Sequence, residues 1–299
     1  MRFKFIVIIF FVLVNHLSAQ DSSLLKMLND SLKTSVNQPT SSTFKASHIV
    51  NMQTIESPSK GDLNLIIMHR FGKINDGSYN FFGLDNATLR LGLDYGISNR
   101  VGIGIGRSSL DKTFDGYLKY RILSQTESGT IPVSISALGS ITNYTLKFSD
   151  KPYLNARYRT SYVVQALVAR KFSETFSLQL SPTWIHFNMV ATARDKNDVY
   201  AASIGGRWKF TKRMGITAEY NYLLPNQVKS IPVKNSISCG LDIETGGHVF
   251  QLVFTNSQGM TEPQYIAKST GSWGHGDIYF GFNVSRNFSF GKNKKSRSY

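Results

Sequence analysis

From residue 61 to residue 290 the chain alternates apolar with polar or small side chains, in segments of about ten residues. Leu89, Leu91, Leu93 and Tyr95 alternate with Arg90, Gly92 and Asp94. Ile237, Cys239, Leu241 and Ile243 alternate with Ser238, Gly240 and Asp242. Ile216, Ala218, Tyr220 and Tyr222 alternate with Thr217, Glu219 and Asn221. A period of two turns one face of a strand towards an apolar medium and the other towards a polar one. Aromatic residues make up 12% and charged residues 18% of the chain, which argues against a disordered polymer. The single cysteine, Cys239, excludes an internal disulfide and a multi-cysteine zinc site.

Residues 1–19, MRFKFIVIIFFVLVNHLSA, read as a secretory signal peptide. Arg2 and Lys4 precede the apolar run Phe5–Val14, and the small residues Ser18 and Ala19 close it. No cysteine follows the run, so no lipoprotein anchor is expected. Beyond it, no apolar stretch reaches the length of a membrane helix of about 18 residues or more. The classes left are a secreted soluble protein and an outer-membrane β-barrel.

Strand counting decides between them. The segments 61–71, 86–96, 100–107, 112–123, 131–140, 158–170, 175–188, 199–210, 213–223, 235–244, 247–256 and 276–290 predict about twelve strands, an even number. The short turns 97–99, 171–174, 211–213 and 246–247 then fall at one end. The long loops 72–85, 141–157, 189–198, 224–234 and 257–275 fall at the other. Barrels sort their connections this way, with short periplasmic turns and long external loops. The expected fold is an all-β, antiparallel, up-and-down transmembrane barrel over 61–290 in the cell outer membrane. Residues 43–53 also alternate, so fourteen strands is the alternative. Residues 20–60 are read as a periplasmic or lumenal segment, and 291–299 as a basic periplasmic tail.

Turn chemistry gives registers. Gly246-Gly247 predicts a two-residue turn that pairs Ile243 with Phe250, Leu241 with Leu252 and Cys239 with Phe254. A turn at 211–213 pairs Trp208 with Ile216 and Ile204 with Tyr220. A turn at 97–99 pairs Tyr95 with Val101, Leu93 with Ile103 and Leu91 with Ile105. Each matches apolar with apolar, and a one-residue slip would destroy the match.

Particular stretches resemble a known family. HRFG (His69–Gly72), GIGRSS (Gly104–Ser109), LKYR (Leu118–Arg121), GGRWK (Gly205–Lys209), DIETGGHVFQL (Asp242–Leu252) with TNSQGM (Thr255–Met260), and GDIYFGFNVSR (Gly276–Arg286) carry the likeness. The chain resembles an uncharacterised outer-membrane β-barrel family of Bacteroidota, a domain of unknown function. The resemblance implies a barrel and implies no activity, substrate or catalytic residue.

The polar phase carries the candidate lumen residues Arg90, Asp94, Lys119, Arg121, Arg207, Lys209, Glu219 and Asp242. In these registers Arg90 faces Gly106, Asp94 faces Gly102, and Arg207 lies diagonal to Glu219 within reach of an ion pair. Two readings of these charges stand. They are a filler network in a narrow barrel, or a cation-rich path that favours anions. The expected function is a narrow channel or transport-related pore for small polar or anionic solutes. The alternatives are a barrel-embedded lipid hydrolase, for which Ser108 or Ser109 near His69 are the candidates, and a docking barrel with a filled lumen. No enzyme motif, metal site or cofactor is expected. The formal charge of +15 is spread over strands and tail without a recognition fold, so nucleic acid is not an expected partner. Outer-membrane lipid is expected, with Trp184, Trp208, Tyr95, Tyr120 and Tyr220 as interfacial aromatics; a periplasmic partner is left unnamed.

Overall fold

The computed structural model describes residues 38–290. The expected signal peptide, residues 20–37 and the basic tail lie outside the described residues. Twelve antiparallel strands form one closed barrel. They are β1 (Asp62–Lys73), β2 (Ala87–Gly96), β3 (Val101–Ser108), β4 (Thr113–Leu123), β5 (Ser134–Tyr144), β6 (Thr160–Lys171), β7 (Phe176–Phe187), β8 (Asp198–Lys209), β9 (Met214–Leu223), β10 (Ser236–Thr245), β11 (His248–Thr255) and β12 (Tyr279–Ser289). Each pairs with its sequence neighbours, and β1 pairs with β12 to close the seam. Residues 43–53 do not add wall strands.

Closure follows from the solvent. In hydrocarbon every strand N–H and C=O must find a partner, so an open edge is not tolerated. The faces are sorted accordingly. Leu91 is 47% exposed on the outside, while Arg90 next to it is 3% exposed on the inside. Apolar residues cover the outer face, with Tyr95, Tyr120, Trp208 and Tyr220 among its aromatics. A separate small unit brings Gln38–Thr40 together with 125–132. There Pro39 bridges Thr126, and Thr40 N donates to Gln125 O at 2.9 Å.

The β10–β11 register pairs Ile243 with Phe250, Leu241 with Leu252 and Cys239 with Phe254, as the turn predicts. The β8–β9 register also agrees. The β2–β3 register differs by two residues: Tyr95 pairs with Ile103, Leu93 with Ile105, and Leu91 with Arg107. The cause is a wider turn. Ser98 Oγ accepts from Arg100 N (3.2 Å) and Val101 N (3.0 Å), which fastens Ile97–Val101 as a five-residue connection between the paired Gly96 and Gly102. A slip of two keeps every side chain on its face. It does move the partners, so Arg90 lies opposite Ser108, and Asp94 opposite Gly104.

The phase assignment predicts a depth dependence. Leu252, mid-strand on the outer face, should lose about 2–4 kcal/mol on substitution by Arg, whereas Tyr95→Arg at the strand end should cost about 0–1 kcal/mol. Denaturant unfolding from lipid vesicles measures both, and equal losses would contradict the assigned depths.

Candidate functional site

The interior is occupied by two segments of the chain itself. The first is residues 43–56. Thr54 N donates to Ser47 O and Ile49 N to Met52 O, both at 2.8 Å, which closes a hairpin with its tip at Ile49–Met52. A tip inside a barrel has backbone donors with no water to meet them. Glu219 on β9 meets them. Its carboxylate accepts from Val50 N (3.1 Å), Asn51 N (3.0 Å) and Met52 N (2.9 Å). Successive N–H groups curled around one anion form a nest.

The hairpin carbonyls are met by amide and ammonium groups of the wall. Gln251 Nε2 donates to Ile49 O (2.7 Å), Asn283 Nδ2 to Val50 O (2.9 Å) and Gln179 Nε2 to Gln53 O (2.7 Å). Lys119 Nζ reaches Thr54 O (2.7 Å) and Glu56 O (2.8 Å). The apolar side chains Phe44, Ile49, Met52 and Ile55 pack on an apolar patch of β5–β8 that includes Leu138, Val163, Leu167 and Ile185. Gly205 makes room for them, since a Cβ there would sit 2.6 Å from Ile49 Cδ1.

The second segment is the connection 256–278. It carries a short helix, α1 (Glu262–Ala267), whose residues are all buried. Tyr265, Ile266 and Ala267 join the same apolar cluster, and Gln264 Nε2 donates to Thr113 Oγ1 at 3.2 Å. Where hairpin and helix approach, beside Arg90 and Glu262, a void of about 10 Å³ remains. That is room for about one water. The connection is fastened near its end by Asp277, which accepts from Lys73 Nζ (3.0 Å), Asn75 Nδ2 (3.1 Å) and Ser272 N (3.1 Å). These bonds, Lys73 first, hold the Asp277 carboxyl down at about 2. The fastening is therefore in force above the ordinary carboxylate range and is lost only as pH falls towards 2.

Six of the eight predicted lumen residues are buried inside: Arg90, Asp94, Lys119, Arg207, Glu219 and Asp242. Arg121 lies half-buried and pairs with Glu56 at 3.3 Å. Lys209 sits half-buried at the end of β8. The expected Arg207–Glu219 pair is not made. Arg207 Nε instead donates to Asp242 Oδ2 (2.8 Å), and its Nη2 pairs with Glu244. Arg90 pairs with Asp115. Both arginines reach past an intervening strand, from β8 to β10 and from β2 to β4. Small residues lie under the crossing: a Cβ on Gly106 would be 2.5 Å from Arg90 Nη2.

Sequence reading missed Asp115, which shares the inward phase of β4 with Lys119 and was readable from it. It also missed Glu56 and Glu262, and it read Glu244, on the same face as Asp242, as a rim position outside the lumen set. Counting these, the interior is close to charge-balanced, and the expected cation excess is not found at mid-barrel. Arg70 was missed as well. It is fully buried and donates to Asn283 Oδ1 and Asn51 Oδ1, both at 2.9 Å.

The hydrolase candidates are not brought together. Ser108 is fully buried on the inner face, while His69 stacks on Phe282 in the outward phase of β1, ring centroids 4.8 Å apart. Ser109 Oγ accepts from Leu89 N at 2.9 Å. His186 joins Trp184 around Asp198 on the exposed strand ends of β7 and β8. Among the described residues, no group of three or more His, Cys, Asp or Glu side chains is placed to hold a metal ion.

The nest around Glu219 sets a test. Glu219→Ala leaves three buried N–H groups without an acceptor, worth about 3 kcal/mol together, so amide exchange at Val50–Met52 should rise about a hundredfold. Glu219→Gln, which keeps an acceptor oxygen, should show a smaller rise. Unchanged exchange in the alanine variant would show that the hairpin is held by its apolar face alone.

Among solved structures, the NanC porin has a TM-score of 0.48 and 10% identity, over 75% of this chain and 98% of that one. The KdgM porin has a TM-score of 0.45 and 11% identity, over 76% and 99%. An outer membrane channel from Pseudomonas putida F1 has a TM-score of 0.46 and 14% identity, over 78% and 97%. A search of curated proteins finds no significant match. The membrane bound beta barrel domain (DUF5777) matches residues 44–288, from the lumenal hairpin through nearly all of β12, and the chain belongs to that family.

Proposed function

We propose that this barrel is a narrow outer-membrane channel for small polar or anionic solutes, closed in the described conformation by its own hairpin and helix. A closed transmembrane barrel with an expected signal peptide and sorted loop lengths supports the outer membrane, with the short turns in the periplasm. The observation that carries the channel reading is how the hairpin is attached. Much of its anchorage is hydrogen bonding to the wall, through Glu219, Gln251, Asn283, Gln179 and Lys119. Water can replace such bonds at small net cost, so the hairpin can leave a polar wall that stays wettable.

The wall beside the inserted segments has spare polar capacity. Ser203, Asn221 and Ser236 lie next to one another across β8, β9 and β10, and the side-chain polar atoms of all three are buried and unpartnered. Buried polar groups of this kind are sites for ordered water or passing polar solute.

Planar-bilayer recording tests the proposal. The wild-type barrel should show low or intermittent current, and Glu219→Ala should raise the open fraction by about tenfold or more, given the contacts it removes. Heat-modifiable gel mobility checks that the barrel remains folded. A folded Glu219→Ala barrel that passes no current would remove the channel reading and leave a docking barrel with a permanently filled lumen.

A further inference from the structure

At the long-loop end, a cavity of about 460 Å³ opens above the inserted helix. Its floor is Ala267 and Lys268, where α1 ends. Its sides come from the loops after β5, β7 and β9 and from the adjoining strand ends. The volume falls within the range of small-molecule sites.

The lining has two chemical characters. One is cationic: Lys151, Arg159, Lys196 and Lys268 all face the cavity. Among the described residues none of them forms an ion pair with a carboxylate. The carboxylate in the lining, Asp195, is already engaged. Its Oδ1 accepts from Lys229 N (2.6 Å) and Ser230 N (2.9 Å), and its Oδ2 from Thr192 N (3.1 Å) and Thr192 Oγ1 (3.0 Å). Burial works against its charge, yet these bonds hold the carboxyl far below the usual range. Asp195 thus fixes loops to each other and leaves the cations without a carboxylate in the lining to pair with.

The other character is aromatic and aliphatic. Lys268 Nζ lies 5.4 Å from the Tyr144 ring centroid and 5.8 Å from that of Phe187. Arg159 lies over Tyr144 at 5.8 Å, and Lys151 over Phe148 at 5.4 Å. Rings hold these cations in place without neutralising them. Arg159 Nη1 donates to Leu146 O at 2.8 Å, and its Nε is buried without a partner.

We propose that this vestibule binds small organic anions, a carboxylate, sulfonate or phosphate on an apolar ring, with the charge at Lys268 and Arg159 and the ring against the aromatic wall. An inorganic anion would use only the cations, and a neutral ring only the wall. The assignment rests on the channel reading for its role as an entrance. The binding itself stands apart from conduction.

Isothermal titration on the full-length barrel in zwitterionic nanodiscs tests it, with empty nanodiscs subtracted. The probes are naphthalene-2-sulfonate, 2-naphthol, a naphthylmethylammonium salt and inorganic phosphate. The sulfonate should bind at least about tenfold more tightly than the other three. Lys268→Gln should weaken it by about tenfold, Lys268→Arg should restore most of the affinity, and Arg159→Gln should act in the same direction as Lys268→Gln. Unchanged heat-modifiable mobility certifies the fold of each variant. Equal binding of sulfonate and 2-naphthol, phosphate binding as tight as sulfonate, or indifference to Lys268→Gln would each overturn the proposal. Current without sulfonate binding would overturn this site and leave the channel. Sulfonate binding without current would do the reverse.

Discussion

A wall of twelve strands must close because lipid offers no partner to an open edge, and closure at that size leaves more interior than the wall's own side chains can fill. The features of the inside answer that excess. Part of the wall, on β5–β8, presents Leu138, Val163, Leu167 and Ile185, and these take the apolar sides of the hairpin and helix. Elsewhere the wall presents amides, carboxylates and ammonium groups, which take the hairpin's backbone. The inserted hairpin is too short to satisfy its own tip, so wall side chains serve as the missing neighbouring strand. Glu219 stands at the centre of that substitution.

The charged pairs have a different role. Arg90 with Asp115 and Arg207 with Asp242 are deeply buried, and such pairs seldom add much net stability after desolvation. What they contribute is position. Each spans three strands, so each fixes the relative shear of a strand and its second neighbour. The crossing requires small residues underneath, which gives Gly106 a structural reason that its own strand does not reveal.

The wall was legible in the sequence because its signal is local. Leu241, Ile243, Phe250 and Leu252 declare their face by period, and Gly246-Gly247 declares their register by turn type. The β2–β3 register was misplaced because the determinant is one hydroxyl, Ser98, that selects a five-residue connection over a three-residue one. The interior was only half legible. The residues facing inward could be read, but their partners could not. A nearest-neighbour rule joins Arg207 to Glu219, whereas the real partners lie a strand further away, and Glu219 is reserved for backbone donors about 170 positions earlier in the chain. The family match, which begins at residue 44, includes the hairpin within the domain.

Arg70 gives the seam a consequence for assembly. It lies on the first strand and donates to Asn283 on the last strand and to Asn51 in the hairpin, whose neighbour Val50 accepts from that same Asn283. The two contacts to Asn283 join residues more than two hundred positions apart, so they cannot form until β12 has been made. The hairpin leads the chain yet finds its full set of partners only when the barrel is complete. Docking of the hairpin and zipping of the β1–β12 seam are thus parts of one late, cooperative step, with the loop-closure entropy of the whole wall already spent. A newly made chain must carry the hairpin unsatisfied until then, and the seam cannot gain its inner fastening without it.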